Sequence, residues 1–487
     1  MIKEGKLVAL FKCRGCGESY PINSTKYLCD CGGHFLLEIE RSSRLDSSVR
    51  SMWRYAGISS TLLSVALNSD GDGDKGLGDR FSAELDVIND DSSKHGLVKL
   101  IEDHAISLGE GLTPQIRDAT LTSGQDQVDL KLDFLNPTLS YKDRGSTLIV
   151  SAAKFSGVQS AAVDSSGNAA VSLSAYCARA GISLSVYVPE GTSRSKIAQI
   201  KRFGGIVNEV PGDRSATSDA IMEDLERHRL YYMSHIYNPL FHHGTKSLIY
   251  ELAESNGGVI PDEIIIPAGN GTLLLGVAIA LSEMAAASHD FRYPRVVVVQ
   301  ARAVAPIYNL LTSQNEPSLS DRRPHQELAI ADTNESNLSF GKNEKYQVVA
   351  PGIAWIGFAN AAEGPIGEAS DQALKHEICP STTLAEGIAI AKPPRLLEMA
   401  TVISSHGWPV VVVDEDEIME AKGRLSLQGV DVEDTAAATY AGALKWIDFR
   451  RRKAIGRSAG EHIGDPNDRF VSVIELTGAG LKSPYLP

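Results

Sequence analysis

Short β-branched runs alternating with longer stretches of helical period constrain this chain more than any other feature. SLSVYV (183–188), EIIIP (263–267), RVVVVQ (295–300) and PVVVVD (409–414) are apolar along most of their length. Several lead through polar or glycine turns into Ala/Leu-rich segments. That order defines an α/β chain with buried, mostly parallel sheets. Ligands of such sheets bind beyond the carboxyl ends of the strands, where loops enter helix N-termini, so the chemistry belongs at those turns.

Three turns stand out. FLNPTLSYKDRGST (134–147) carries Lys142 directly before an Asp-Arg-Gly sequence. In DSSGNAA, Ser165, Ser166 and Asn168 offer hydroxyl, amide and backbone donors at a helix start, which suits an anion. In PAGNGTLLLG, Gly269, Asn270, Gly271 and Thr272 follow a strand and open a helix; glycines there let the backbone approach a phosphate closely. The spacing misses both the dinucleotide fingerprint and the P-loop. A phosphate cradle, an anion-binding Ser/Asn loop and a lysine whose amine can form a Schiff base together match the needs of a pyridoxal phosphate enzyme.

Near the N-terminus Cys13 and Cys16 stand at C-x-x-C spacing, and Cys29 and Cys31 at C-x-C spacing, each pair followed by glycine. Four thiolates on two tight turns can close a tetrahedral zinc site, which supplies folding energy that a segment of about 40 residues lacks. Such a site has no open position, so its role is structural. A ribbon that has lost its metal, or four reduced cysteines in an apolar knuckle, are the alternatives. Cys177 and Cys379 stand alone, unlike a secreted disulfide framework.

The length of 487 residues accommodates two lobes and an added module. A formal charge of -14 argues against nucleic acid or an anionic membrane as partner, because phosphate backbones require a positive footprint. The basic run 445–457 reads as a solvated helix flank. No run approaches the ~18 apolar residues of a membrane span and no leader pattern opens the chain, so a cytoplasmic protein is expected. Asp/Gly/Ser-rich residues 68–96 read as a linker or insertion, and DGDGD lacks the glutamate that a calcium loop requires. Residues 314–345 read as a second insertion.

NPTLSYKDRG, DSSGNAA, PEGTSRSKIAQIKRFGG, NPLFHHGTKSLIYE, PAGNGTLLLG, TLAEGIAI, VEDTAAATYAG and ELTGAGLKSP together resemble the threonine synthase-like family of fold-type II pyridoxal phosphate enzymes. LGEGLTP (108–114) resembles that family's entry strand, and the cysteine knuckle its N-terminal ribbon. The resemblance implies two α/β lobes of the tryptophan synthase β kind. It divides the chain into a zinc-ribbon-like module (1–45), an acidic linker (46–105), a large cofactor lobe (106–150 and 240–487) and a small lobe (151–239).

It further implies that Lys142 carries the cofactor, that Asn168 meets the pyridine 3-oxygen and that Gly269 to Thr272 hold the phosphate. Thr477 would meet the pyridine nitrogen with a hydroxyl, and Ser165, Ser166 and Asn168 the substrate carboxylate. The implied reaction acts on a small amino acid with an anionic leaving group, O-phosphohomoserine in a threonine synthase. Cysteate synthase-like, dehydratase-like and non-catalytic relatives are the alternatives. A homodimer is implied likewise.

Four positions depart from the family pattern. Leu139 stands where glycine is usual, Phe241 where an arginine often holds the substrate phosphate, and Asp434 and Ala436 where proline and serine are common. Lys246 and the histidines 235, 242 and 243 are the polar groups near Phe241; of these Lys246 is assigned to substrate, whereas adjacent loop histidines are commonly surface groups.

Overall fold

A computed structural model describes residues 2–3, 6–7, 9–39, 49–67, 101, 103–212, 214–313, 347–355, 382–453 and 469–482. The acidic stretch 68–96, the insertion 314–345, Cys379 and the last four residues of the basic run, 454–457, fall outside the described residues.

The apolar runs build an eight-stranded sheet. From edge to edge it runs Gln347–Ala350, Ile353–Trp355, Val410–Val413, Arg295–Ala301, Glu263–Pro267, Phe470–Glu475, Asp126–Lys131 and Gln115–Arg117. The five inner strands are parallel, and the edge strands are antiparallel. Successive side chains on a strand face opposite ways, and both faces are dry here. Ile264, Ile266, Val296, Val298 and Val410 join one core, whereas Ile265, Val297, Val299, Val411 and Val413 join the other. The helices Lys142–Phe155, Ser247–Ser255 and Thr272–Ala287 cover the first face, and Glu415–Leu427 and Asp434–Arg452 the second. Each fully buried Val or Ile contributes roughly 1.5–3 kcal/mol, which is why the runs need no polar alternation.

A smaller sheet, all parallel, orders Ile206–Val210, Ser183–Pro189, Ser160–Val163 and Tyr231–Tyr232. Its crossovers are the helices Asn168–Ala180, Arg194–Arg202 and Arg214–His228. The cysteine segment forms a three-stranded antiparallel ribbon of Leu10–Cys13, Ser19–Pro21 and Phe35–Glu38.

Two expectations need correction. The linker assigned to 46–105 is not linker throughout. Residues 49–67 include the helix Ala56–Leu67, and Trp53, Ile58 and Leu62 are buried in the main core. Apolar residues at helical spacing outweigh the acidic character that follows them. Nor is the basic run at 445–457 simply a solvated flank. Arg450 is buried and pairs with Asp126 at 2.7 Å and Glu263 at 3.2 Å, and Lys445 pairs with Glu417 at 2.7 Å. Arg450 thus locks the helix Asp434–Arg452 onto the sheet, and Lys445 ties it to the neighbouring helix Glu415–Leu427.

Candidate active site

Four strand ends open into one cavity of about 910 Å³. Strand Ser160–Val163 leads to Ser165, Ser166 and Asn168; Ser183–Pro189 leads to Gly191, Thr192 and Ser193. Glu263–Pro267 leads to Gly269, Asn270, Gly271 and Thr272, and Phe470–Glu475 leads to Thr477. Lys142, at the start of its helix, lines the same space. The cavity thus lies where parallel sheets place their ligands.

The residues around Lys142 fix its position. Asn136 accepts from Gly111 N at 2.9 Å and donates to the Asp133 carbonyl at 2.8 Å. The Asp143 carboxylate receives Thr138 N at 2.6 Å and the hydroxyls of Thr138 and Ser172 at 2.5 Å. Arg144, wholly buried, donates to Asp133 at 2.6 Å and to Glu251 at 2.5 Å. Burial alone would raise the Asp133 carboxyl, but the Arg144 guanidinium outweighs it and holds the group at about 2. Gly145 has no Cβ because one would overlap the Phe241 ring. Leu139 carries the loop at φ +64, the left-handed conformation that glycine adopts without a side-chain clash.

Lys142 Nζ donates to the Tyr141 hydroxyl and, at 3.1 Å, to Thr272 Oγ1; the two hydroxyls are 3.0 Å apart. The lysine amine is therefore joined to the Gly269–Thr272 loop. That loop suits a phosphate. Gly271 sits at φ +84, and a Cβ there would run into Met399; one at Gly269 would stand 3.0 Å from the Gly387 carbonyl. The sixteen-residue helix Thr272–Ala287 begins there with no side-chain cap among the described residues, and Thr272 and Leu273 of its first turn line the cavity, which suits an anion. Thr477 Oγ1, which lines the same cavity, is buried and has no hydrogen-bond partner among the described residues, an orphaned hydroxyl suited to a ring nitrogen. A loop for the phosphate, an amine for the aldehyde and an orphaned hydroxyl for the nitrogen fit pyridoxal phosphate. Asn168 lines the same wall and donates through Nδ2 to Glu433 Oε2 at 2.9 Å.

Lys246 stands apart from this cavity. It is buried, donates to Glu283 at 3.0 Å and lies 3.2 Å from His243 Nδ1, so its charge is neutralised within the fold. Phe241 is also core, its ring filling the space beside Gly145 and 5.9 Å from His235. The histidines are not surface groups: His242 and His243 lie in Pro239–Thr245, a helix whose residues are all buried, and His235, which precedes that helix, is buried as well. Burial, and then the Arg395 guanidinium, push the His242 imidazole well below its usual range and keep it neutral. Of the three, His235 lines the cavity.

Sequence reasoning missed Tyr141, Lys196, Glu386 and Glu433 as lining groups. Tyr141 was detectable because it abuts the lysine; Lys196, Glu386 and Glu433 lie within PEGTSRSKIAQIKRFGG, TLAEGIAI and VEDTAAATYAG, but nothing in those stretches tells that they meet in one cavity.

The four cysteines meet at the tip of the ribbon. Their sulfurs lie within 4.8 Å of one another, with Cys13–Cys31 and Cys16–Cys29 at 3.5 Å. A tetrahedron of sulfurs about 2.3 Å from zinc has edges of about 3.8 Å, so the cluster has the right size.

A cofactor-binding α/β enzyme with an active-site lysine is the class that this fold and cavity define. The family described as pyridoxal-phosphate dependent enzyme matches residues 106–350, and the chain belongs to that family, among its threonine synthase-like members. It is accordingly a pyridoxal phosphate-dependent lyase. The threonine synthase of Methanocaldococcus jannaschii is 26% identical over 482 residues, covering 98% of this chain and 93% of that protein. That of Methanosarcina acetivorans is 24% identical over 360 residues, covering 73% and 75%. The processed form of threonine deaminase isoform 2 from Solanum lycopersicum shares the fold, with TM-score 0.52, 16% identity and 84% and 86% of the two chains covered.

Proposed function

We propose that this chain is a threonine synthase, converting O-phospho-L-homoserine and water into L-threonine and phosphate. The observation that carries the proposal is the likeness to the Methanocaldococcus jannaschii threonine synthase, which extends over nearly the whole of both chains. It is supported by the cavity, whose lysine, phosphate loop and orphaned hydroxyl suit the cofactor. Gly269 to Thr272 would hold the cofactor phosphate, Thr477 the pyridine nitrogen, and Asn168 the ring's 3-oxygen. Bound pyridoxal phosphate supplies an electron sink for bonds broken at the substrate's α-carbon and beyond.

The chain's own groups do the rest. Lys142, flanked by the hydroxyls of Tyr141 and Thr272, is placed to accept and return protons at the substrate carbons. Ser165 and Ser166, with the amides that open helix Asn168–Ala180, receive the substrate carboxylate. The test is incubation with O-phosphohomoserine, measuring phosphate and amino-acid product. Equal release of phosphate and threonine is expected; the absence of phosphate removes this substrate.

We also propose that the four-cysteine cluster holds a structural zinc ion. Metal analysis of purified protein should return about one zinc per chain, with no loss on exchange into ordinary buffer. A protein free of metal that keeps its thermal stability contradicts it.

A further inference from the structure

The cavity sets a charge problem for an anionic substrate. Glu386, Glu415, Glu433 and Asp434 line it, against the lysines Lys142 and Lys196, and among the described residues no arginine lines it. Lys142 is committed to the cofactor. A phosphate ester carries up to two negative charges and therefore finds one available lysine, Lys196.

Lys196 lies in the first turn of helix Arg194–Arg202, on the small-sheet side. Facing it, Glu386 opens the short turn Glu386–Ile388 on the large-sheet side; the next residue, Gly387, packs against Gly269 of the phosphate loop. Lys196 Nζ donates to Glu386 Oε2, so one ion pair spans the cavity between the lobes.

The other three carboxylates are engaged elsewhere. Glu415 accepts from Leu384 N at 2.8 Å, Glu433 from Asn168 at 2.9 Å and Asp434 from Lys422 at 2.7 Å. Glu386 holds Lys196 alone among the described side chains. Its side chain is 70% exposed, against 24% for Lys196. The carboxylate can turn into water at little cost while the lysine remains at the wall, and ion pairs this open are weak.

We propose that Lys196 is the receptor for the substrate's side-chain phosphate and that Glu386 is a place-holding counter-ion which the phosphate displaces. With O-phosphohomoserine as the substrate, on which this inference rests, the ester draws Lys196 off Glu386 and takes over the link between the lobes. The two residues then act in opposite directions: Lys196 favours phosphate, and Glu386 competes with it.

The test uses holoenzyme, as wild type, Lys196→Met and Glu386→Gln, titrated calorimetrically with inorganic phosphate at constant ionic strength. The cofactor's visible band in each variant verifies that the site is assembled. Lys196→Met should weaken phosphate binding by about 10- to 100-fold and raise KM for O-phosphohomoserine similarly, with a smaller effect on kcat. Glu386→Gln should tighten phosphate several-fold. Wild-type holoenzyme that binds no phosphate, equal affinity in Lys196→Met, or weakening in Glu386→Gln would each overturn the proposal. Phosphate binding through Lys196 without turnover of O-phosphohomoserine upholds the anion site and removes threonine synthase. Turnover with a KM indifferent to Lys196 does the reverse.

Discussion

Leu139 carries the lysine loop through a left-handed turn at φ +64, an arrangement that costs an L-residue with a Cβ about 1–2 kcal/mol. Leu139→Gly should therefore be more stable than Leu139→Ala by about 1 kcal/mol in urea denaturation. Equal midpoints would show that the turn relaxes. Tyr141 makes a second residue-level prediction. Its hydroxyl joins Lys142 and Thr272, so Tyr141→Phe should weaken cofactor affinity by about 10-fold while leaving the fold intact. Unchanged affinity contradicts that role. Much at this scale was legible in the sequence, because Ser165, Ser166, Asn168, Gly269 to Thr272 and Thr477 follow strand ends, Lys142 opens a helix, and all line one cavity. Lys246 was not, since only packing reveals that Glu283 neutralises it. Lys196 and Glu386 were hidden because they meet across 190 residues of chain.

At the level of elements, the apolar runs fall where the strands Ser183–Pro189, Glu263–Pro267, Arg295–Ala301 and Val410–Val413 form, because the last three are buried along their whole length and the first along most of its apolar residues. The end of strand Phe470–Glu475 breaks that rule. Glu475 is buried, and among the described residues neither carboxyl oxygen has a hydrogen-bond partner. Burial, and then the neighbouring Asp133 carboxylate, push it well above the usual carboxyl range. A raised folded-state pKa contributes stability below about pH 4.3 and loses it as pH rises. Glu475→Gln should thus stabilise the protein by an amount that grows from pH 5 to pH 8, read from melting temperatures. A constant or shrinking difference would show that the carboxyl is ionised in the fold. Asp133 has the opposite sign: held at about 2, it gives stability above about pH 4 that is lost on further acidification.

Across the whole molecule the ribbon is tied to the cofactor cavity. The buried Arg395 donates to the carbonyls of Ile236 at 2.7 Å, Tyr237 at 3.0 Å and, in the ribbon, Phe35 at 3.5 Å. Arg14 pairs with Glu398 at 3.0 Å, one residue before Met399, which packs under Gly271. With the proposed zinc in the cluster, its removal by a chelator should lower the melting temperature and cofactor affinity together; a change in the first alone would make the ribbon an independent module. The cysteine spacing foretold the cluster, but not that it braces the site, because the brace depends on contacts with residues more than 350 positions away. The central claim is that Lys142 carries pyridoxal phosphate, and borohydride reduction of purified holoenzyme followed by peptide mass mapping tests it most directly. The account predicts a pyridoxyl adduct on Lys142 and none in Lys142→Ala; an adduct on another lysine, or no adduct, would contradict it.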